Sequence, residues 1–333
     1  MKIIPSHEST IGKKYIFFSL VFSFIYAYVL AGLPIDGFVD RDNYLNYVSN
    51  SGLIFLGNLS QGLFDFLLNE PIWLIINMVL GFLFDPEFAL RIIIFISAFV
   101  FSFHMLRARR GDLFYIFFAI VICLLPQVMK NYVVHLRQGV AIAFVAFMMY
   151  SSTGLARRTY IILAPFVHSS YFFLLPNIFI SWIAKEKLKF RKNSFLFFLG
   201  YFLIACFIVL VFVNVLSFTS ARQVEVLEQV SGDRRSGVAV LFWAIIFYLF
   251  ASSGDEFRRN NFFSISSIAV YIMLYFFFDP IARVFESALP FILFSGYELK
   301  SKKRWVFFLL IFVLFCFQWL FPLLTGGEVF RIL

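Results

Sequence analysis

A chain of 333 residues that is 62% hydrophobic and 14% charged, with 51 Phe and a mean hydropathy of +0.89, carries more apolar surface than a soluble domain of that length can bury. The formal net charge of +9 does not make it a nucleic-acid binder, because its basic residues form short clusters beside apolar runs and not one basic face. Those runs are continuous, which excludes the alternating pattern of a β-barrel.

The expected fold is therefore all-α: a polytopic integral membrane helical bundle, a single domain over residues 1–333 with about 10–11 membrane segments. Lys2, Lys13 and Lys14 precede the first apolar run, 15–33, which lacks a cleavage site and reads as an anchor with a cytoplasmic N-terminus. The first extracytoplasmic loop spans 34–70, and within it 51–68, with Asn58, Gln61 and Asp65, suits an interfacial helix. Glu70-Pro71 opens a short run to Phe84, with proline favourable at a first helical position. A span at 88–106 ends in Arg107, Arg109 and Arg110, which read as cytoplasmic. An even number of crossings must then lie between the N-terminus and Arg107–Arg110, so 71–84 is expected to be re-entrant, short of a full span.

Residues 113–129 go outward and 136–150 return to Arg157-Arg158. The stretch 130–148 passes from Lys130, Asn131, His135, Arg137 and Gln138 into an apolar helix with no turn signal. Gly139, Ala143 and Ala146 give that helix a small-residue face that another backbone can approach. The run 160–184 has basic clusters on both sides and contains Pro165, His168 and Pro176, so two short helices meeting near His168 are expected. Spans at 194–216, 238–251, 262–278, 285–297 and 305–324 follow, with a second extracytoplasmic loop at 217–237. Cys123, Cys206 and Cys316 all lie in apolar runs and read as packing residues.

This topology gathers Asp36, Asp40, Asp42, Glu70, His135, Arg137, Arg222, Arg234, Arg235 and Arg283 on the outer side, with His168 deeper. Several arginines with few lysines on an outer face call for an anion, and their planar fork suits phosphate or pyrophosphate. Each residue also has a plainer reading. Arg137 could snorkel to the interface, Glu70 could cap the helix at Pro71, and His168 could be a satisfied interior histidine. Asp40-Arg41-Asp42 has the spacing of a metal-binding pair, although the interposed arginine and a plain loop role stand against a metal. Arg222, Arg234 and Arg235 share a loop with Glu225, Glu228 and Asp233 and read equally as a solvated charge run.

The ordered set Asp42-x-Tyr44-x-x-Tyr47, Glu70-Pro71, Leu136-Arg137-Gln138-Gly139-x-Ala141, His168-x-Ser170 before Leu175-Pro176, and Arg283 seven residues before Pro290 resembles the EpsG family of Wzy-type bacterial polysaccharide polymerases over roughly residues 15–297. The resemblance implies a GT-C-like architecture with short re-entrant or broken helices near the active site. It also implies a glycosyltransferase in the inner (cytoplasmic) membrane, its active site facing the periplasm. Such an enzyme transfers a growing glycan from undecaprenyl pyrophosphate to an undecaprenyl-pyrophosphate-linked repeat unit of O-antigen, capsule or exopolysaccharide.

On that reading Arg137 and Arg283 stabilise the pyrophosphate, helped by Arg222, Arg234 or Arg235. His168, Glu70 and Asp42 are the candidate bases or orienting groups, and Asp40, Tyr44, His135 and Gln138 contact substrate. No cofactor and no metal are expected. The expected partners are lipid-linked oligosaccharides, membrane lipid and a chain-length regulator. An O-antigen ligase or another GT-C transferase is the alternative within the same chemistry, although the 217–237 loop is small for a ligase. A lipid-linked glycan transporter is the alternative outside it.

Overall fold

Proline sets several of the helix boundaries. A computed structural model describes residues 13–35, 37–38, 40–108, 113–150, 161–187, 237–276 and 281–325, together with 200, 203–204, 207 and 211, and no strand occurs among them. The N-terminal helices are α1 (Lys13–Ala31), α2 (Arg41–Ser60), α3 (Leu63–Leu68), α4 (Pro71–Leu83), α5 (Pro86–Arg107), α6 (Leu113–Cys123), α7 (Pro126–Val133) and α8 (Leu136–Tyr150). Proline opens α4, α5 and α7, where its missing N–H costs no helical hydrogen bond. Asp85 caps α5 by accepting from the Phe88 N–H at 3.0 Å. A 3-10 turn at Ala164–Phe166 precedes α9 (Tyr171–Lys187), and then come α10 (Val238–Ala251), α11 (Asp255–Asn260), α12 (Phe262–Leu274), α13 (Ile281–Ser295) and α14 (Ser301–Thr325).

By length and apolarity two of these helices can cross a membrane, Pro86–Arg107 and Lys302–Thr325. Leu113–Cys123 and Pro126–Val133 make a third candidate as a pair bent by 58°. The helices within Tyr15–Ala31, Pro71–Leu83, Leu136–Met148, Tyr171–Ser181, Val238–Ala251 and Phe262–Leu274 are apolar but shorter. The chain is thus an all-helical membrane protein. Much of the 194–216 span and of the 217–237 loop lies outside the described residues.

The helices group into two compact units, Ile3–Ser169 with Phe312–Leu333, and Ser170–Ile311. In the first, α5 is the central helix, packing on α1 and α8, while α2 packs on α4. Leu90, Ile94, Ala98, Phe101 and Met105 are buried along one side of α5 at helical spacing. In the second, α12 packs on α9, α10 and α13. Its interior is stitched by small polar groups, as apolar helix bundles require. The Asn177 amide donates to Ser267 Oγ at 2.8 Å and accepts from Ser266 Oγ, while the Ser170 and Ser287 hydroxyls pair at 2.8 Å.

Four boundaries differ from the sequence reading. Helix α2 starts at Arg41, ten residues before the expected interfacial helix, because Arg41, Tyr44, Val48 and Ser51 form a buried stripe at helical spacing. The expected span at 113–129 is broken before Pro126, which cannot donate to the carbonyl four residues back. Side chains take over at the break: Tyr26 donates to the Cys123 carbonyl at 2.8 Å and the Trp319 indole to Leu124 at 3.0 Å. The passage from Lys130 into the apolar helix does contain a turn, at Val134–His135, where the Lys130 carbonyl accepts from both N–H groups at 2.8 and 2.9 Å. Finally α13 begins at Ile281 instead of 285, which puts Arg283 in its first turn.

That turn folds α7 back on α8, and Gly139 is the point of closest approach. A Cβ at Gly139 would lie 2.1 Å from the Asn131 carbonyl oxygen, whereas one at Gly57 in α2 meets nothing within 4 Å. Gly139→Ala is therefore expected to destabilise the purified protein by about 1–3 kcal/mol, with Gly57→Ala neutral or stabilising. Thermal unfolding of both variants in one detergent checks the pair.

Candidate active site

Glu70 is the residue on which the first unit's polar side chains converge. It stands before Pro71 with φ 58 and ψ 54, a left-handed conformation that is costly for a non-glycine residue and disfavoured before proline. In that conformation its side chain does not cap α4, so the plain capping role fails. The carboxylate instead accepts from Arg137 Nη1 at 2.7 Å, pairs with His168 Nδ1 at 2.9 Å and accepts from the Ser169 N–H at 2.9 Å. Arg137 comes from the first turn of α8, and His168 and Ser169 come from the turn after Ala164–Phe166. These contacts hold a strained backbone that nothing local would hold.

Burial alone would raise the Glu70 pKa. The charge of Arg137, the hydrogen bond and charge of His168, and the Ser169 N–H outweigh burial and hold it below the usual carboxylate range. Glu70 is thus an acceptor at both oxygens, which fixes the proton of His168 on Nδ1. The opposite nitrogen, Nε2, is buried with no hydrogen-bond partner. A histidine oriented by a carboxylate through Nδ1 and open at Nε2 is the arrangement of a general base.

Because the folded pKa of Glu70 is depressed, its stabilisation is present above its unfolded pKa of 4.5 and is lost as pH falls through the lower folded value. The difference in unfolding temperature between the wild type and Glu70→Gln is expected to be constant at neutral pH and to narrow below about pH 4.5. Unfolding scans across a pH series check this.

Arg137 is tied into the protein. Its side chain is 27% exposed, one arm of the guanidinium is held by Glu70, and its face lies over Tyr47 at 5.6 Å. Its Nε is buried without a partner. Tyr47 and Tyr44 both pack edge-on against Trp73, at 6.3 and 5.7 Å, so α2 and α4 supply an aromatic wall beside the Glu70 cluster. Tyr44 is buried and counts Arg137, Asp40 and Glu70 among its charged neighbours. Gln138 is buried and His135 half-buried at the start of α8.

Asp42 and Asp40 make no bond to the Glu70 cluster. Asp42 is exposed in the first turn of α2. Asp40, also exposed, precedes α2 with φ 70; its carboxylate accepts from the Asn43 amide at 3.3 Å and makes no capping bond to the helix. Among the described residues no three His, Cys, Asp or Glu side chains are grouped as metal ligands. Arg283 is exposed on α13 in the second unit. Asp36, Arg222, Arg234 and Arg235 lie outside the described residues. Sequence reasoning missed Trp73, the Ser169 N–H and Arg41. The last showed a signal in hindsight: an arginine opening a helix whose i+3 and i+7 positions are apolar.

The family model described as the EpsG family matches residues 14–328. The chain belongs to the EpsG family. That span covers every helix above from α2 onward and all of α1 but its first residue. Membership places this EpsG protein with membrane polysaccharide polymerases, a coarse glycosyltransferase assignment. No curated protein and no solved structure matches the chain.

Proposed function

We propose that this EpsG protein polymerises lipid-linked repeat units in the bacterial inner membrane, with its active site facing the periplasm. The growing glycan moves from undecaprenyl pyrophosphate to a hydroxyl of an undecaprenyl-pyrophosphate-linked repeat unit. The observation that carries the reading is the Glu70 cluster: one carboxylate that both orients a histidine and anchors an arginine.

In the reaction, His168 Nε2 takes the proton of the acceptor hydroxyl as its oxygen attacks the anomeric carbon of the donor glycan. The bond from that carbon to the pyrophosphate oxygen breaks, and the leaving group keeps the electron pair. Arg137, held by Glu70 and stacked on Tyr47, offers its remaining N–H groups to the developing charge. Glu70 stays ionised, keeping the His168 tautomer fixed and balancing the imidazolium that forms. Asp42, exposed and apart from these contacts, has no part in this scheme.

The deciding experiment expresses the chain in cells that make the lipid-linked repeat but lack their own polymerase. A ladder of lengthened glycan on a gel is expected. Single units without a ladder, or transport into sealed vesicles without lengthening, would overturn the proposal. Because arginine supplies the positive charge in this scheme, turnover by the purified protein is expected to continue in EDTA; an EDTA-sensitive rate would return Asp40 and Asp42 to consideration.

A further inference from the structure

Arg41 is 2% exposed, and all three of its guanidinium nitrogens are buried without a hydrogen-bond partner. The Phe38 ring covers one face at 5.2 Å, which uses the π face and leaves the in-plane N–H donors untouched. Arg91 acts on Arg41 as a like charge, and Arg91 is itself committed to the Ala31 carbonyl at 2.6 Å and to Glu87.

Burial lowers the Arg41 pKa most, Arg91 lowers it further and Tyr44 opposes this, leaving it at about 10. The side chain is therefore a cation at neutral pH. A buried cation whose donors find no acceptor is among the most costly arrangements a fold can hold.

Two other orphan donors share the neighbourhood. Trp73 Nε1 and Arg137 Nε are also buried without partners. Trp73 packs on Tyr44 and Tyr47, Arg137 lies over Tyr47, and Tyr44 is an electrostatic neighbour of both arginines. Arg41 opens a helix of 20 residues whose exposed Asp40 and Asp42 flank it without bonding to its guanidinium. The Arg41 guanidinium, Trp73 Nε1 and Arg137 Nε are thus buried donors from α2, α4 and α8 that lack an acceptor.

We infer that Arg41 and Trp73 form, with Arg137, a cradle for a phosphate or pyrophosphate group. On the polymerase reading above, the occupant is the pyrophosphate of a polyprenyl-linked glycan. Arg41 then grips the pyrophosphate, while His168 and Glu70 serve the hydroxyl and the proton. The interposed residue of Asp40-Arg41-Asp42 becomes the functional one, and the flanking aspartates face solvent.

The test measures thermal unfolding of the full-length protein in nanodiscs of neutral lipid, titrated with inorganic pyrophosphate and, separately, with phosphatidylglycerol in the disc. Pyrophosphate is expected to raise the unfolding temperature of the wild type. In Arg41→Met the half-maximal concentration should rise roughly 10²-fold, while the ligand-free protein unfolds no earlier than wild type, since an uncompensated charge has been removed. Arg41→Lys, which keeps the charge but loses the fork, should fold as wild type and respond in between.

An Arg41→Met or Arg41→Lys response equal to wild type overturns the proposal, as does a wild type that ignores pyrophosphate. Stabilisation by phosphatidylglycerol alone would make the site a structural-lipid site and overturn the substrate assignment. Binding here does not depend on turnover. A pyrophosphate response that Arg41→Met loses, in a wild type that makes no ladder in the polymerase-deficient cells, would leave the site standing and sink the polymerase reading.

Discussion

His168→Asn is expected to abolish the polymer ladder and leave single repeat units, while the protein folds and reaches the membrane at wild-type levels. Asparagine keeps an N–H where His168 Nδ1 sits 2.9 Å from Glu70, so the orienting bond survives. What disappears is Nε2, the buried nitrogen with no partner. Removing a positioned general base typically lowers a rate by about 10²–10⁴-fold, enough to erase a ladder built by many successive transfers. His168→Gln places an amide nearer to Nε2 and gives up the Glu70 bond. It is expected to lose both the ladder and some thermal stability. A ladder of normal length in His168→Asn would show that His168 only braces the turn at Ser169, and the base would have to be sought elsewhere.

The three residues of the Glu70 cluster were legible one at a time and not as a cluster. Glu70-Pro71, Leu136-Arg137-Gln138-Gly139 and His168-x-Ser170 stand out because charge beside an apolar run is costly and proline and glycine punctuate helices. Their meeting was not legible, since the Glu70 bonds join residues 67 and 98 positions apart and hydropathy carries no information about pairing at that range. For the same reason the capping reading of Glu70 stood beside the others in the sequence, where its left-handed backbone and uncapped helix are invisible.

The start of α2 was misplaced because Asp, Asn and Ser dilute its hydropathy, although Arg41, Tyr44, Val48 and Ser51 already carry the helical period. The break at Pro126 failed differently. An apolar run on both sides hid a proline whose lost hydrogen bonds are replaced from α1 and α14, at Tyr26 and Trp319. Hydropathy reports burial well and backbone direction poorly. That is why the helical class followed from composition, while the bend between α6 and α7 and the turn before α8 needed coordinates.

Arg137→Ala is expected to remove the ladder and to destabilise the protein, and the two effects can be pulled apart. Truncating Arg137 leaves the Glu70 carboxylate, with a side chain 6% exposed, without its main counter-charge. Breaking a buried pair on one side costs about 3–5 kcal/mol. That loss alone could empty the membrane of folded protein and imitate an active-site defect. The double variant Glu70→Gln/Arg137→Met removes both charges and keeps their approximate volumes, so it should recover most of the stability lost in Arg137→Ala. Its ladder should nonetheless stay absent, because neither the oriented imidazole nor the phosphate-facing guanidinium remains. Arg137→Lys is the third arm. It preserves the ion pair to Glu70 as a point charge, loses the planar stack on Tyr47, and should fold well but polymerise poorly. Full polymerisation by the folded double variant would reduce the Glu70–Arg137 pair to a structural strut and shift the phosphate-binding role wholly onto Arg41.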